Sequence, residues 1–516
     1  MTTPLGDPYL LHHFFATTAA RLPHKTAVVC EGARLTYADL ASRAEACASL
    51  LAAAGVGRGD RVLLFLDNGP DFLAAMYGAL ACGAIFVPVN PLTKPDKLAY
   101  LLADTRARAL LTHSALAPAW RGPVAAAPHL QVCVIAGDPP TAGDSPVRMT
   151  RWPAPTMPAG RSDPGTIDRD LAAIVYTSGS TGAPKGVMLS HLNMVTAARA
   201  VSGYLGYRED DIVACLLPLA FDYGLYQALM AFKVGATLVL ERSFAFPVKV
   251  LQTLAAERVT VLPGVPTLFA MLMDMGSLGS HDLSRLRLIT NTAAALPVEH
   301  IRRLRALFPG ATLYSMYGLT ECKRVTYLPP EQLDIRPGSV GRGMPNEEVW
   351  LVDEAGTRLP PGSTGELVIR GSNVMQGYWE KPEETAQKLR RGADGEVLLH
   401  SGDLFRTDAE GWLYFVARKD DIIKSRGEKV SPREVENAVC SHAAVREAAV
   451  VGVPDPVLGE AVKAFVVLKE GCAATERELI RHCMAHLESF MAPKHVEIVP
   501  ELPRSENGKV KKTALG

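Results

Sequence analysis

The sequence predicts an α/β protein: a large N-terminal unit of layered α/β subdomains closed by a β-rich subdomain, then a small α+β C-terminal domain. Three observations carry this expectation. Short apolar runs alternate with Ala-rich amphipathic stretches over the first hundred or so residues, the rhythm of parallel α/β layers. From Ser339 the texture turns to short strands and turns. A tail of roughly 95 residues after Asp421 suffices for a small domain of its own.

The elements follow in order. Residues 36–54, TYADLASRAEACASLLAAA, have the apolar spacing of a helix that stops at Gly55. RVLLFL at 61–66 reads as a buried strand, 71–81 as a helix and 84–89 as another strand. Residues 118–164 are rich in Ala, Pro and Gly, which predicts surface connection rather than core. The α/β rhythm resumes after Leu171 and runs to about Phe308. EVWLVD, GELVIRG and GWLYFVARKDD then supply the β-rich part. In the tail, helices are expected at 432–440 and 475–486, and strands at 448–453 and 463–468.

Composition narrows the function. A chain of 516 residues predicts two to four domains, and 48% hydrophobic with 21% charged residues excludes wholesale disorder. Because 54 basic residues balance 54 acidic ones, no general field attracts nucleic acid or an anionic membrane. Charged ligands must be recognised locally. The nine cysteines include no CxxC and no zinc spacing, so buried free thiols in a reducing compartment are expected. No basic leader with a long apolar core opens the chain and no apolar run spans a bilayer. A cytoplasmic location is expected.

The strongest local signal is YTSGSTGAPKG at 176–186. Glycines interleaved with hydroxyl residues let backbone N–H groups approach phosphate oxygens closely. Thr177, Ser178, Ser180 and Thr181 add hydroxyls, Gly179 and Gly182 add freedom, and Lys185 adds charge. It is not a Walker A loop, since no Gly-Lys-Ser/Thr follows at the required spacing. A flexible surface linker is the bland alternative.

This segment resembles the phosphate loop of the adenylate-forming superfamily, which includes acyl-CoA synthetases, peptide-synthetase adenylation domains and firefly luciferase. YGLTE at 317–321, SGD at 401–403, RKDDIIKSRG at 418–427 and PRSENGK at 503–509 resemble its further motifs, in the expected order. The resemblance implies ATP and Mg²⁺ as cofactors and a catalytic set of Lys509, Thr320 and Glu321. Lys509 would bridge the substrate carboxylate and the α-phosphate as a point charge. Thr320 would contact that phosphate, and Glu321, with Thr177, would hold the metal. Asp403 and Arg418 are implied at the ribose, and Tyr317 at the adenine. The adenine-side loop, Thr292, Ala293 and Ala294 within TNTAAAL, departs from the family's paired glycines, and the alanine Cβ atoms narrow the pocket. The resemblance divides the chain into an adenylation core, 1–419, and a mobile lid, 420–516. Asp420 is implied as the hinge between a pose that delivers Lys509 and one that delivers the hairpin 424–430.

The acyl pocket is expected from PLAFDYGLY at 218–226, from Thr292 and from residues around Gly318. Phe221, Asp222 and Tyr223 stand where many fatty acyl-CoA synthetases carry a His. In amino-acid-activating domains an Asp after Phe here pairs with the substrate ammonium. A carboxylate in an apolar segment is costly unless a cation meets it; a helix cap is the alternative role. Lys323 and Arg324 could neutralise a second substrate carboxylate, or be a solvated pair. One acid and two bases suggest a small amino acid with an acidic group, β-amino or aspartate-like, loaded onto a carrier-protein thiol. That pattern resembles the stand-alone adenylation enzymes of macrolactam pathways. The alternative is an AMP-forming coenzyme A ligase for a small or aryl acid; a binding module without chemistry is a third reading.

Overall fold

The computed structural model describes residues 8–138, 147–154, 163–177, 184–242, 244, 246–292, 296–425, 428–455, 459–487, 491–505 and 509–515. Two large sheets form the N-terminal unit. One is seven-stranded, in the order Arg148–Arg151, Val132–Ala136, Ala109–His113, Arg61–Phe65, Ile85–Val89, Leu171–Thr177 and Lys185–Ser190, all parallel except the last pair. The other is nine-stranded, with a parallel centre of Thr312–Leu319, Leu288–Asn291, Val261–Gly264, Ile212–Cys215, Thr237–Leu240 and Thr26–Cys30. Helix Asp222–Val234 is buried from Asp222 through Phe232 and lies in the core the two sheets share.

Parallel strands place all their C-terminal ends on one edge, where α/β proteins gather ligands. Here that edge collects the segments after Cys215, Gly264 and Asn291 and the end of Thr312–Leu319. An antiparallel sheet of Glu347–Val352, Thr364–Gly371, Val397–Thr407, Leu389–Arg391 and Leu413–Arg418 closes the unit. The last unit has a separate sheet built on Gly459–Leu468 and Val445–Asp455, with helices Pro432–Cys440 and Glu476–His486. Its own core contains Val435, Val439, Val450, Val462, Leu479 and Cys483.

Local chemistry explains the helix starts. Thr36 and Asp39 form a capping box at the head of Tyr37–Ala53, and Thr475 with Glu478 does the same for Glu476–His486. Gly55 ends the first of these helices at a φ of +80°.

One expectation fails. Within 118–164, helix Ala117–Ala125 packs Trp120 and Val124 inward, and Val132–Ala136 is buried at every position. VCVIA is a short continuous apolar run, the signature of a strand covered on both faces, and the flanking Ala/Pro composition obscured it. The cysteines match expectation: none is paired, and only Cys440 and Cys472 are not buried. Among the described residues no helix is long and apolar enough to cross a membrane.

Candidate active site

The glycine-rich segment joins two antiparallel strands in which Thr177 pairs with Lys185. Ser178, Gly179, Ser180, Thr181 and Gly182 lie outside the described residues, as do Ala293 and Ala294. Both shoulders of the loop are fixed. Tyr176 donates its hydroxyl to the Asp104 carboxylate, and Tyr100 donates to the Pro184 carbonyl at 3.2 Å. Lys185 places its ammonium 5.7 Å from the Tyr378 ring centroid.

The segment expected to form the acyl pocket is built on a constrained turn. Asn68 donates to the Leu217 and Glu241 carbonyls, each at 3.0 Å, and accepts from Leu219 N–H at 2.7 Å. A Cβ on Gly224 would stand 2.3 Å from the Pro218 carbonyl, so only glycine lets the helix start this close to the turn. Tyr223 forms the floor, its hydroxyl donating to the Thr290 carbonyl at 2.8 Å.

Phe221, Asp222, Tyr223, Thr292, Gly318, Thr320, Lys323, Arg324 and Lys509 all line one cavity of about 20 Å³, room for about one water. The structure thus brings together every substrate residue the sequence predicts and two of the predicted catalytic ones. A different groove, along Arg342, Glu347, Trp350 and Leu413, contains none of them.

Asp222 does not cap its helix: Phe221 is the N-cap and makes no side-chain cap bond. The carboxylate instead meets Lys323 Nζ at 3.2 Å, both side chains being nearly buried. Burial pushes the Asp222 carboxyl up, but Lys323, then Lys509 and Arg324, outweigh it and hold it below its usual range. For Lys323, burial dominates over Asp222 and pulls the ammonium down to about 7. Arg324 is 1% exposed, stacks its guanidinium 4.9 Å from the Tyr223 ring centroid, and has no hydrogen-bond partner at Nε or Nη1 among the described residues. A buried guanidinium with unmet donors is costly, and it sits in the cavity wall. Lys323 and Arg324 are therefore not a solvated surface pair.

Among the residues the resemblance implies at the nucleotide, Tyr317 donates to Asp403 Oδ2 at 2.6 Å, and Arg418 Nε stands 3.7 Å from Oδ1. Strand register sets Asp403 opposite Arg418. Burial raises Asp403, with Arg418 opposing. Gly402 adopts a φ of +78°, a region suited to glycine, and its N–H reaches Glu366 Oε1 at 3.0 Å. Burial alone would raise Glu366, but His400, Lys419 and that N–H draw it down to about 2.

Glu321 is half-buried, and no salt bridge among the described residues neutralises it. Its Oε1 accepts from the Tyr378 hydroxyl at 2.7 Å and its carbonyl from Met375 N–H at 2.8 Å. Lys509 is exposed along much of its length, yet its ammonium stands 5.7 Å from the Phe221 ring centroid. Asp420 falls in the 3₁₀ turn Lys419–Asp421; its side chain lies outside the described residues. Strands Ile423–Ser425 and Glu428–Val430 form the hairpin that follows. Sequence reasoning missed Asn68, Tyr378 and Glu366, which act through hydrogen bonds to distant segments. Tyr378 had one available signal, its place in the polar-aromatic run QGYW.

Comparison with known proteins gives a consistent picture. Residues 15–379 match the AMP-binding enzyme family, and 434–509 match the AMP-binding enzyme C-terminal domain. A feruloyl-CoA synthase of Amycolatopsis sp is 36% identical over 493 residues, covering 95% of each chain. An L-proline--[L-prolyl-carrier protein] ligase of Pseudomonas fluorescens is 32% identical over 518 residues, covering 98% of each. The crystal structure of an anthranilate CoA ligase in complex with anthranoyl-AMP superposes with a TM-score of 0.88 at 30% identity, covering 99% of this chain and 97% of that one.

Proposed function

This chain belongs to the AMP-binding enzyme family and is an AMP-forming ligase, and from that premise we propose that it activates a small amino acid carrying an acidic group. A substrate carboxylate oxygen attacks the α-phosphorus of ATP, the bond to pyrophosphate breaks, and the acyl-adenylate forms. The phosphopantetheine thiol of a carrier protein then attacks the acyl carbon, loses its proton and expels AMP.

The observation that carries this reading is the buried charge cluster. Arg324 is buried, with donors unmet among the described residues, and is one of the residues lining the cavity; a guanidinium suits charge-assisted binding of a second carboxylate. Asp222, opposite it, can accept the substrate ammonium in place of Lys323, whose proton is already loosely held. Likeness to a ligase that loads a prolyl-carrier protein supports the carrier thiol as acceptor.

The other residues take roles their surroundings permit. Asp403, braced by Tyr317, accepts from the ribose hydroxyls, with Arg418 beside the sugar. Lys509 draws the attacking carboxylate and the α-phosphate together against their mutual repulsion, Thr320 contacts that phosphate, and Thr177 and Lys185 flank the phosphate loop. Glu321 offers a hard carboxylate that has no ion-pair partner among the described residues, suited to Mg²⁺, and Thr177 would add a hydroxyl ligand. When bound, that ion would neutralise phosphate charge.

A second reading, a coenzyme A ligase for a small or aryl acid, has its own support: Asp222 is already satisfied by Lys323 at 3.2 Å. Pyrophosphate exchange with α-amino, β-amino, dicarboxylic and plain carboxylic acids separates the two. The first reading expects amino-acid-dependent exchange that collapses in Asp222→Asn and Asp222→Ala. Exchange with aryl acids, thioester formation on free coenzyme A and indifference to both variants would establish the second.

A further inference from the structure

Lys509 belongs to the C-terminal unit, which has its own sheet and core, yet its ammonium lines a cavity of the large unit. Its placement therefore depends on what holds the two units in register. The chain around it doubles back: Arg504 and Val510 form an antiparallel bridge, Ser505 N–H donates to the Lys509 carbonyl, and Lys511 N–H donates to the Pro503 carbonyl, each at 2.7 Å. Leu502 and Val510 seat this hairpin on a small core with Ala449, Phe465 and Val467.

One side chain of the hairpin crosses to the large unit. Arg504 Nη1 donates to Thr267 Oγ1 at 2.6 Å, while Nη2 is held by the Glu447 carboxylate of strand Val445–Asp455. Thr267 sits in the first turn of helix Pro266–Asp274, immediately after strand Val261–Gly264. That strand pairs with Leu288–Asn291, whose Thr290 carries the Tyr223 hydroxyl. The contact thus links the Lys509 hairpin, through one helix turn, to the floor of the acyl cavity. Glu447 fixes the guanidinium on its own unit, so the fork reaches Thr267 with little freedom left to lose.

We propose that Arg504 is a positioning residue: it clasps the C-terminal hairpin to Thr267 and so sets the reach of Lys509 into the site. The role rests on Lys509 acting in adenylation, as proposed above. Lys509 is called on when a carboxylate meets a triphosphate. Acyl transfer from a preformed adenylate involves no such meeting and does not need the clasp. A small misplacement of a catalytic group costs rate steeply.

The test is a double-mutant cycle of Arg504→Met and Thr267→Val in the full chain, read on each half-reaction. With whichever acid supports pyrophosphate exchange in the unaltered protein, each variant is expected to slow exchange about tenfold. The KM for ATP should stay within about twofold, and the double variant should be no slower than the slower single one. Thiol transfer from a synthetic acyl-adenylate should be unchanged. Additive losses, a silent Thr267→Val or equal decline of both half-reactions would overturn the proposal; Thr267→Val keeps it testable if Arg504→Met folds poorly. A second readout needs no substrate. Spin labels on the exposed Cys472 and on Leu307→Cys should report one narrow distance in the parent and a broadened one in both clasp variants. An unchanged distribution in both would equally overturn it, whatever acid the protein activates.

Discussion

Two groups of expected site residues, one implied at the nucleotide and one at the acyl group, are built on opposite principles. In the group implied at the nucleotide, Asp403, Tyr317 and Arg418 lean on one another, and Glu366 is shared among Gly402, His400 and Lys419. In the group expected at the acyl moiety, Asp222, Lys323, Arg324 and Lys509 crowd one small cavity, and Arg324 has donors unmet among the described residues. A braced site binds what every member of a family uses. A site with unmet charge is specified only by the molecule that completes it, so selectivity should reside with Asp222 and Arg324, and changes at these two residues should discriminate between acids.

Four changes probe that contrast, the first two of similar size and the others in falling order of effect. Lys509→Ala should cut pyrophosphate exchange by about 10²–10³ for every acid, since it removes a charge from the transition state; single-turnover rates would show it. Lys323→Met leaves Asp222 buried without its partner, a loss of roughly 3–5 kcal/mol in stability. Denaturant titration should detect that loss, and adding Asp222→Asn should restore most of it.

Arg324→Met should lower kcat/KM by about 10–100-fold, as befits lost hydrogen bonds to a charged group, but only for acids with a second carboxylate. Arg324→Lys should recover little, because a point charge does not replace a planar fork. The smallest effect is in pH. Lys323 sheds its proton as pH rises through about 7, while Asp222, held below its usual range, stays ionised. With Arg324 and Lys509 the other cations facing it, the site becomes one charge more negative above that pH. The KM for an acidic substrate should rise across the window in the parent and stay flat in Lys323→Met. Stability moves the other way: the unfolded lysine keeps its proton to higher pH, so folding gains between about 7 and the normal lysine range.

How much of this was legible in the sequence differs between the two groups as well. The loop, the YGLTE and SGD segments and the tail lysine are local patterns, and of these Gly318, Thr320 and Lys509 line one cavity. Asp222, Lys323 and Arg324 could be recognised as charges in apolar company, but not as partners: a strand and a helix far apart in sequence meet only after the sheet forms. In the structure the acid and the first base face each other. Tyr378 and Asn68 left still less trace, because nothing in QGYW or in LDNGP states which distant carboxylate or turn the side chain reaches. The strand Val132–Ala136 was readable from its continuous apolar run, had the composition around it weighed less.

The most direct measurement is pyrophosphate exchange across a matched series of acids, with and without an amino group and a second carboxylate, in the parent and in Arg324→Met. The account predicts that the parent prefers acids bearing both groups and that the variant loses the preference for the second carboxylate alone. A parent that uses the unsubstituted acids as well as the substituted ones, or a variant that keeps the parent's preference for the second carboxylate, would contradict it.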